Sequence, residues 1–309
     1  MVTRRCSAND CKRTISKSWN FITRKWRLKK LHPLITSYKI EDDFFAEFKF
    51  NLKLYISKAL KAKFENNDNL FIKNIDKARN NRLNVTPNGA VVPKREYHLE
   101  YNLVLRNWCE LVRRIIKYNP SLLRLFRITP NIRIKYGTEL SDNLNRGLST
   151  SVPHSDAWVE GPWGMNCFIP FFGDIKKNNL KFYEPKKNEF KNQFMNISST
   201  YNKMQWVMKS YQPIKNFYPK KGFVNISDYA AIHNTSRHKR SGTRVSIDTT
   251  IFVGKYQPHK DRIREYTKKI PNIGIDEFID SGQYEYSKFA KKISTFSHYT
   301  SRVLKIIKF

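Results

Sequence analysis

Two segments of the chain carry apolar residues at the three- and four-residue spacing of an amphipathic helix. The first runs from residue 41 to about residue 64 and begins with acidic residues, which favour the amino-terminal end of a helix. The second runs from about residue 96 to residue 118 and stops before Asn119-Pro120. The apolar positions are Phe44, Phe48, Leu52, Tyr55, Ile56 and Leu60 in the first segment, and Val104, Trp108, Leu111, Val112 and Ile115 in the second. We therefore predict two helices, with loops at 66–69 and 79–88.

From residue 130 onward the pattern changes to short runs of β-branched and aromatic residues, separated by Gly, Pro, Asn and Asp. The expected strands are 131–136, 150–158, 163–171, 179–184, 205–211, 222–227 and 243–253. Helices followed by a block of strands predict an α+β fold, in which the helices pack on one face of a sheet system. Residues 1–40 are basic and irregular, and we expect an amino-terminal arm there.

The residues with candidate chemistry begin at His154-Ser155-Asp156. In an extended strand, residues two apart leave the same face about 7 Å from one another, so an imidazole and a carboxylate would lie side by side. A second imidazole from a distant strand would complete a triad of two histidines and one carboxylate, the set typical of non-haem Fe(II). The alternative is a surface His154 beside a turn-forming Asp156. Apolar neighbours on both sides favour a partly buried strand end, where an unpaired carboxylate is costly.

Two histidines could supply the third ligand. His233 ends an apolar stretch that begins at Val224. His238 lies in the basic run 236–242, which is typical of an exposed turn. Bringing His238 inward would also carry further positive charge toward a cation. We therefore predict His233 as the ligand, with His238 as the alternative.

The last predicted strand places Arg244 and Ser246 on one face and Val245 on the other. A guanidinium can hold a carboxylate with two hydrogen bonds, and a hydroxyl can add one more, so this pair is chemically suited to a carboxylate. The alternative is a structural ion pair between Arg244 and Asp248, which shares that face.

In this order the motifs resemble the Fe(II)/2-oxoglutarate-dependent oxygenases, in particular their phytanoyl-CoA hydroxylase-like branch. The resemblance covers residues 130–253, roughly two-fifths of the chain, and neither flank. The matching segments are 131–136, 152–158, 166–171, 179–182, 222–228 with His233, and 243–248. The chain departs from the family at Glu184-Pro185-Lys186, where many members carry a Gly-Ser-His run, and this difference falls on the substrate side of the site.

The resemblance implies a double-stranded β-helix (jelly-roll, cupin-like) core with the amino-terminal helices packed on it. It implies that Fe(2+) is bound by His154, Asp156 and His233, and that 2-oxoglutarate and O2 are co-substrates. Arg244 and Ser246 are then expected to hold the distal carboxylate of 2-oxoglutarate.

A further residue is implied on the co-substrate side of the iron. Asn166 could donate a hydrogen bond to the keto-acid carboxylate next to the metal. The alternative is an ordinary buried strand asparagine with a structural hydrogen bond.

The implied activity is hydroxylation of an aliphatic C–H bond in a small or carrier-linked, anionic substrate. Asp156 favours hydroxylation, because related halogenating enzymes carry a small residue at that position. One alternative is an oxygenase that modifies nucleic acid or protein. Another is a non-catalytic cupin-type binding module, against which the intact ligand set and Arg244 argue.

The residue patterns divide the chain into four parts. We expect a basic arm at 1–40, a helical flank at 41–128, a catalytic core at 129–256 and a basic extension at 257–309. No internal repeat or low-complexity linker separates these parts, so one catalytic domain with flanks is the simplest organisation.

The net charge of +32 arises from 58 basic and 26 acidic residues, and it would attract polyanions. Nucleic acid, an acidic lipid surface, a phosphorylated small molecule and a phosphopantetheine carrier all suit this charge. In the arm, Trp19, Phe21 and Trp26 interleave with basic residues and could stack bases or dock the arm onto its own core. Because basic residues are spread along the whole chain, we expect a small anionic substrate before nucleic acid.

The four cysteines do not form a disulfide framework in a chain of 309 residues. Cys109 and Cys167 lie in apolar strings and are expected to be buried, while Cys6 and Cys11 lack the neighbours of a zinc site. No run of 18 apolar residues predicts a membrane span, and the amino terminus lacks the apolar stretch of a secretory signal. With a ferrous site, these features predict a cytoplasmic location.

Overall fold

The fold is known from a computed structural model of the chain. It describes residues 29–32, 35–79, 84–86, 89–116, 125–126, 130–138, 152–156, 164–186, 201–215, 217–228 and 231–252. The expected arm up to residue 28, with Cys6 and Cys11, and the expected extension at 257–309 lie outside the described residues. Among the described residues, no helix is long and apolar enough to cross a membrane.

Three α-helices form the amino-terminal part: α1 (Asp42–Leu60), α2 (Asp68–Ala78) and α3 (His98–Ile116). The two predicted helices are confirmed as α1 and α3, to within a few residues at each end. The loop predicted at 66–69 ends earlier than expected. Asn67 caps helix α2, which was not predicted and begins at Asp68. Its side-chain oxygen accepts the backbone N–H groups of Asn69 and Leu70, which otherwise lack partners at a helix start.

Within the part of the chain that the structure describes, ten strands form two antiparallel sheets. They are β1 (Lys29–His32), β2 (Ile35–Lys39), β3 (Leu125–Phe126), β4 (Asn131–Lys135), β5 (Gly164–Gly173), β6 (Asn178–Pro185), β7 (Tyr211–Pro213), β8 (Phe223–Asp228), β9 (Ile232–Arg237) and β10 (Arg244–Phe252). The large sheet has the order β1-β2-β8-β5-β10-β3, with β4 also paired to β10, and the small sheet has the order β7-β6-β9. The predicted mixture of helices and antiparallel sheets is confirmed.

Three local predictions differ from the structure. The segment 29–39, expected to be irregular, forms β1 and β2, and β2 pairs along its whole length with β8. The strand predicted at 205–211 is a 3-10 helix, Tyr201–Ser210, followed by β7. The strand predicted at 150–158 reduces, over the described residues 152–156, to a single bridge at His154.

The large sheet has one apolar and one polar face. On β10, Val245 and Ile247 point toward the helices and belong to the main core, which also contains Phe48 and Trp108. The alternating positions Arg244 and Ser246 therefore point away from the helices, and both are buried. Other buried polar residues on the same face of this sheet are Asn225 and Ser227. Because the main apolar core lies on the helical side, the opposite face is available for polar chemistry.

One acidic side chain at the start of α2 joins helix α1 to the turn before β8. Asp68 lies 2.7 Å from the Nζ atoms of both Lys53 and Lys221, and 3.2 Å from that of Lys49. Burial would raise the pKa of Asp68, but hydrogen bonds and charges from Lys221 and Lys53 lower it from 3.8 to about 2. Burial lowers the pKa of Lys53 despite this pairing. The favourable contribution to folding at neutral pH therefore comes from the ionised carboxylate of Asp68.

We expect Asp68→Asn to lower the free energy of unfolding at pH 7 by about 2–3 kcal/mol, since the folded state favours the charged carboxylate. Because the folded-state pKa is depressed, this contribution is present above pH 4 and is lost as the pH falls through 2. Urea unfolding at pH 7 and near pH 2 measures the difference. The control Asp42→Asn, in an exposed pair with Lys39, should change stability by less than about 0.5 kcal/mol. An equal loss for Asp68→Asn at both pH values would contradict the linkage.

Candidate metal centre

Two histidines and one aspartate converge between the sheets. Ligand atoms of His154, Asp156 and His233 all lie within 4.8 Å of one another. The Nε2 atoms of His154 and His233 each lie 3.9 Å from a different oxygen of Asp156. Two atoms that bind one first-row ion at about 2.1 Å can be up to about 4.2 Å apart, so both distances fit a shared ion.

A backbone bridge brings the two histidines together. The N–H of His154 donates to the carbonyl of His233 at 2.9 Å, and the N–H of His233 donates to the carbonyl of His154 at 2.8 Å. Residues that exchange both hydrogen bonds in this way project their side chains on the same side, and the two ring centres are 4.6 Å apart. The bridge therefore places the second imidazole, which was expected from a distant strand, beside His154.

Each imidazole is oriented by the carbonyl two residues before it. The Nδ1 atom of His154 lies 2.7 Å from the carbonyl oxygen of Val152, and that of His233 lies 3.0 Å from the carbonyl oxygen of Ala231. A carbonyl only accepts hydrogen bonds, so Nδ1 carries the proton in both rings and Nε2 is left to bind a metal.

The electrostatics favour the neutral imidazole that a metal requires. Burial, and after it the neighbouring His233, lower the pKa of His154 from 6.5 to about 4, although the Asp156 carboxylate and the Val152 carbonyl oppose the shift. Since metal binding needs a deprotonated ring nitrogen, His154 is ready to bind at neutral pH.

The structure brings His233 to the other two residues and leaves His238 away from them. His238 is exposed in the turn after β9, where its N–H donates to the carbonyl of Lys177 at 3.0 Å. This turn is exposed as its basic character predicts, and His233 is the histidine that reaches the cluster.

Asn166, on β5, contacts a metal-ligand candidate. Its side-chain amide donates to the Oδ2 atom of Asp156. This hydrogen bond fixes the carboxylate of Asp156 and differs from the expected one, which was to a keto-acid carboxylate. Asn166 is therefore placed to orient the acidic ligand, and a direct role in co-substrate binding stays a prediction.

Arg244 lies at the start of β10 with 1% of its surface exposed, and its guanidinium carbon is 5.0 Å from the ring centre of Phe168. The hydroxyl of Ser246 is fully buried and makes no hydrogen bond among the described residues. Buried hydroxyls are nearly always paired, so a bound polar group would satisfy it. A carboxylate held by Arg244 would do so.

Neighbouring elements hold the start of β10 in place. The hydroxyl of Thr243 donates to Asp76 of α2 at 2.5 Å and accepts the N–H of Gly137 at 3.0 Å. Opposite Arg244, Gly173 has a φ of +91°, and a Cβ there would lie 2.1 Å from the carbonyl oxygen of Thr243. Only glycine allows the strands to approach this closely beside Arg244.

The structural alternative for Arg244 was an ion pair with Asp248. That carboxylate is paired with Arg133 of β4, which lies opposite Ser246 in the sheet. Asp248 thus has a partner other than Arg244, and the Arg133–Asp248 pair lies between Arg244 and the Asn166 end of the strand.

No protein-family model and no curated protein matches the sequence. Solved structures do resemble it. The non-haem α-ketoglutarate-dependent epimerase SnoN from nogalamycin biosynthesis aligns over 84% of this chain and 91% of its own, with 9% identity and a TM-score of 0.40. AviO1 from Streptomyces viridochromogenes Tue57 aligns over 77% and 96%, with 12% identity and a TM-score of 0.40. An N-substituted L-amino acid dioxygenase from Burkholderia ambifaria AMMD aligns over 71% and 82%, with 11% identity and a TM-score of 0.36.

Structures of SnoN with Fe3+ and α-ketoglutarate, and of the amino acid dioxygenase with α-ketoglutarate, are also among these neighbours. Non-haem iron enzymes that use α-ketoglutarate are therefore structural neighbours at low sequence identity. Likenesses this distant assign no reaction to this chain, so its chemistry has to be argued from its own residues.

Two contacts at the site could not be read from the sequence. The side-chain amide of Gln205, in the 3-10 helix, donates to the carbonyl of Pro153 at 2.8 Å, next to His154. The ring of Phe182 lies 5.9 Å from that of His233 and 5.6 Å from that of Phe217. Both contacts join residues far apart in the chain, and no local pattern marks them.

We expect Asn166→Ala to weaken metal binding by about 10- to 100-fold, the usual effect of removing a group that orients a ligand. The reason is that the Asp156 carboxylate would lose its amide donor. Isothermal titration of the metal-free protein with Fe(II) under anaerobic conditions measures the change. Asn234→Ala, on the small sheet beside Tyr183, is the matched control. Unchanged Fe(II) affinity in Asn166→Ala would show that Asp156 needs no such support.

Proposed function

We propose that the protein is an Fe(II)- and 2-oxoglutarate-dependent oxygenase. The observation that carries the proposal is the convergence of two Nε2 atoms and one carboxylate at distances that fit a single ion. Neutral imidazole and ionised carboxylate suit Fe(II), and no thiolate contributes to the cluster. Three protein ligands on one side leave the other coordination positions for a co-substrate and dioxygen.

The buried polar groups on β10 support 2-oxoglutarate as the co-substrate. Arg244 supplies a planar charged fork, and Ser246 supplies a buried hydroxyl in need of a partner. A dicarboxylic keto acid could therefore bind iron at one end and this pair at the other.

In the proposed reaction, R–H, O2 and 2-oxoglutarate give R–OH, succinate and carbon dioxide. One atom of the dioxygen enters R–OH and the other enters succinate. Bound iron would supply the activation of dioxygen. The chain's own residues would orient the groups that take part. Asn166 orients the Asp156 carboxylate, and the carbonyls of Val152 and Ala231 orient the imidazoles. Arg244 would orient the co-substrate.

Finer features of the proposal follow the sequence resemblance. We propose that the two sheets form a double-stranded β-helix of the phytanoyl-CoA hydroxylase-like branch, that residues 129–256 are its catalytic core, and that 41–128 are its helical flank. Hydroxylation of an aliphatic C–H bond is the proposed outcome, supported by the presence of Asp156. A small or carrier-linked, anionic substrate is the proposed substrate class, and an oxygenase that modifies nucleic acid or protein is the alternative.

An anaerobic titration tests the proposal. Metal-free protein is mixed with Fe(II) and then with 2-oxoglutarate, and the weak visible charge-transfer band of the chelated keto acid is recorded. We expect a band that saturates at one equivalent and bleaches when oxygen is admitted, with succinate released. A non-catalytic binding module, the competing function, would bind Fe(II) without the band or without succinate. Absence of both Fe(II) binding and the band would reject the oxygenase.

A further inference from the structure

Exposed lysines and aromatic residues recur along the 3-10 helix and the residues that follow β7. We define the basic strip as Trp206, Lys209, Lys215, Tyr218 and Lys220, all of which are exposed. Trp206 exposes 44% and Tyr218 66% of their surface, large values for aromatic side chains. No acidic residue occurs in the sequence between Glu189 and Asp228, so the strip has no carboxylates of its own.

Hydrogen bonds to one edge of the small sheet hold the strip in place. The N–H of Ile214 donates to the carbonyl of Phe182 at 2.9 Å, and the side chain of Asn179 donates to the carbonyl of Pro219 at 2.9 Å. Ile214 and Pro219 therefore both lie along β6 on the side away from β9.

The charge of the strip differs from that of the helical layer. Most carboxylates of the described residues lie in 41–116, where they pair with lysines and arginines, as in the Asp68 cluster and in the pairing of Arg114 with Glu41 and Glu110. Lys209, Lys215 and Lys220 have no ion pair among the described residues. The large positive charge of the chain is therefore poorly compensated on the small-sheet side.

Two contacts connect the strip to the histidines of the metal centre. Gln205, next to Trp206, donates to the carbonyl of Pro153, which precedes His154. Phe217, next to Tyr218, contacts Phe182, and Phe182 contacts His233. The elements that carry the strip are therefore in contact with both histidine segments of the metal centre.

We infer that the basic strip binds a single-stranded nucleic acid. Unpaired lysines suit phosphates, and exposed aromatic rings among them suit unstacked bases, which a duplex does not offer. A lipid headgroup or inorganic polyphosphate would use the lysines without using the aromatic rings. Binding of the strand needs no metal. That the strand is also the substrate to be oxidised rests on the proposed function.

The test begins with the salt dependence of binding. Full-length protein in EDTA is titrated into fluorescein-labelled dT20 or U20 at 50–200 mM NaCl, with fluorescence anisotropy as the measurement. For a single strand, the slope of log affinity against log salt changes by about 0.7 for each phosphate that is no longer neutralised by a lysine. The triple variant Lys209→Gln, Lys215→Gln, Lys220→Gln should therefore have a slope shallower by about 2.

A matched variant removes the same charge from the helical layer. Lys58→Gln, Lys73→Gln, Lys77→Gln changes three exposed helical lysines and should leave the slope nearly unchanged. If both triple variants reduce the slope equally, binding reflects overall charge and the inference is wrong.

Stacking is tested at Trp206. Loss of one base–aromatic stack corresponds to about 5- to 150-fold in affinity, so Trp206→Ala should weaken dT20 binding by that factor without changing the slope. Polyphosphate should bind Trp206→Ala and the unmodified protein alike. Unchanged dT20 affinity in Trp206→Ala, or equal affinity for a duplex, would overturn single-strand recognition.

Succinate release separates this inference from the proposed function. With Fe(II), 2-oxoglutarate and oxygen, dT20 or U20 should stimulate succinate formation by the unmodified protein and not by the strip triple variant. Oligonucleotide binding without any charge-transfer band would support the strip and reject the oxygenase. A charge-transfer band without salt-dependent oligonucleotide binding would support the oxygenase and reject nucleic-acid binding by the basic strip.

Discussion

Asp156→Ala is expected to abolish iron-dependent succinate formation while the protein stays folded. The variant removes the single carboxylate of the triad and leaves two imidazoles, a set that holds Fe(II) weakly. The loss should exceed the roughly 10- to 100-fold expected for Asn166→Ala, because a ligand is removed instead of a group that orients it. Succinate formation and Fe(II) affinity are the measurements, and His154→Ala should behave in the same way.

Two controls belong with this experiment. His238→Ala removes an exposed histidine outside the cluster and should be nearly silent. Thermal unfolding of Asp156→Ala should match that of the unmodified protein, since Asp156 takes no part in the apolar core. Full turnover in both Asp156→Ala and His154→Ala would reject the metal centre. Loss of iron binding in His238→Ala would show that His238, and not His233, is the third ligand.

Arg244→Lys is expected to weaken 2-oxoglutarate binding by about one to two orders of magnitude while Fe(II) still binds. A charged bidentate hydrogen bond contributes about 1.5–3 kcal/mol, and lysine keeps the charge but loses the planar fork. The charge-transfer band, titrated with 2-oxoglutarate at saturating Fe(II), measures the affinity.

The informative comparison is Arg133→Lys, the same chemical change on the same face of the sheet. Arg133 is paired with Asp248, so its replacement should affect 2-oxoglutarate far less than Arg244→Lys does. If Arg133→Lys weakens the co-substrate and Arg244→Lys does not, the carboxylate-binding role belongs to Arg133.

Long, periodic elements were predictable from the sequence because their spacing reflects burial directly. Helices α1 and α3 show this, since Phe48 and Trp108 lie on the faces that enter the core. Helix α2 was missed because it buries only Phe71, Ile75 and Ala78, and it starts in an asparagine-rich segment that is also typical of loops. A short helix that depends on a cap and on tertiary ion pairs leaves little periodic signal.

The candidate site was predictable as a set of residue types and only partly as a geometry. His154, Asp156 and His233 were selected by spacing and by their apolar surroundings, and the structure brings them together. Over the described residues 152–156, the strand expected around His154 is a single reciprocal bridge to His233, and side chains from distant elements hold the rest of the segment. The contacts made by Asn166 and Gln205 depend on how the strands and the 3-10 helix pack, which no local pattern encodes.

The two faces of β10 have a consequence for how such a protein can change over evolutionary time. Val245 and Ile247 contribute to the apolar core, whereas Arg244 and Ser246 face the other way, where we propose that they bind the co-substrate. Substitutions at the second set can alter or erase an activity while the apolar core keeps its free energy of folding. A duplicated gene could therefore drift to a new reaction, or to none, and still encode a folded protein of the same shape.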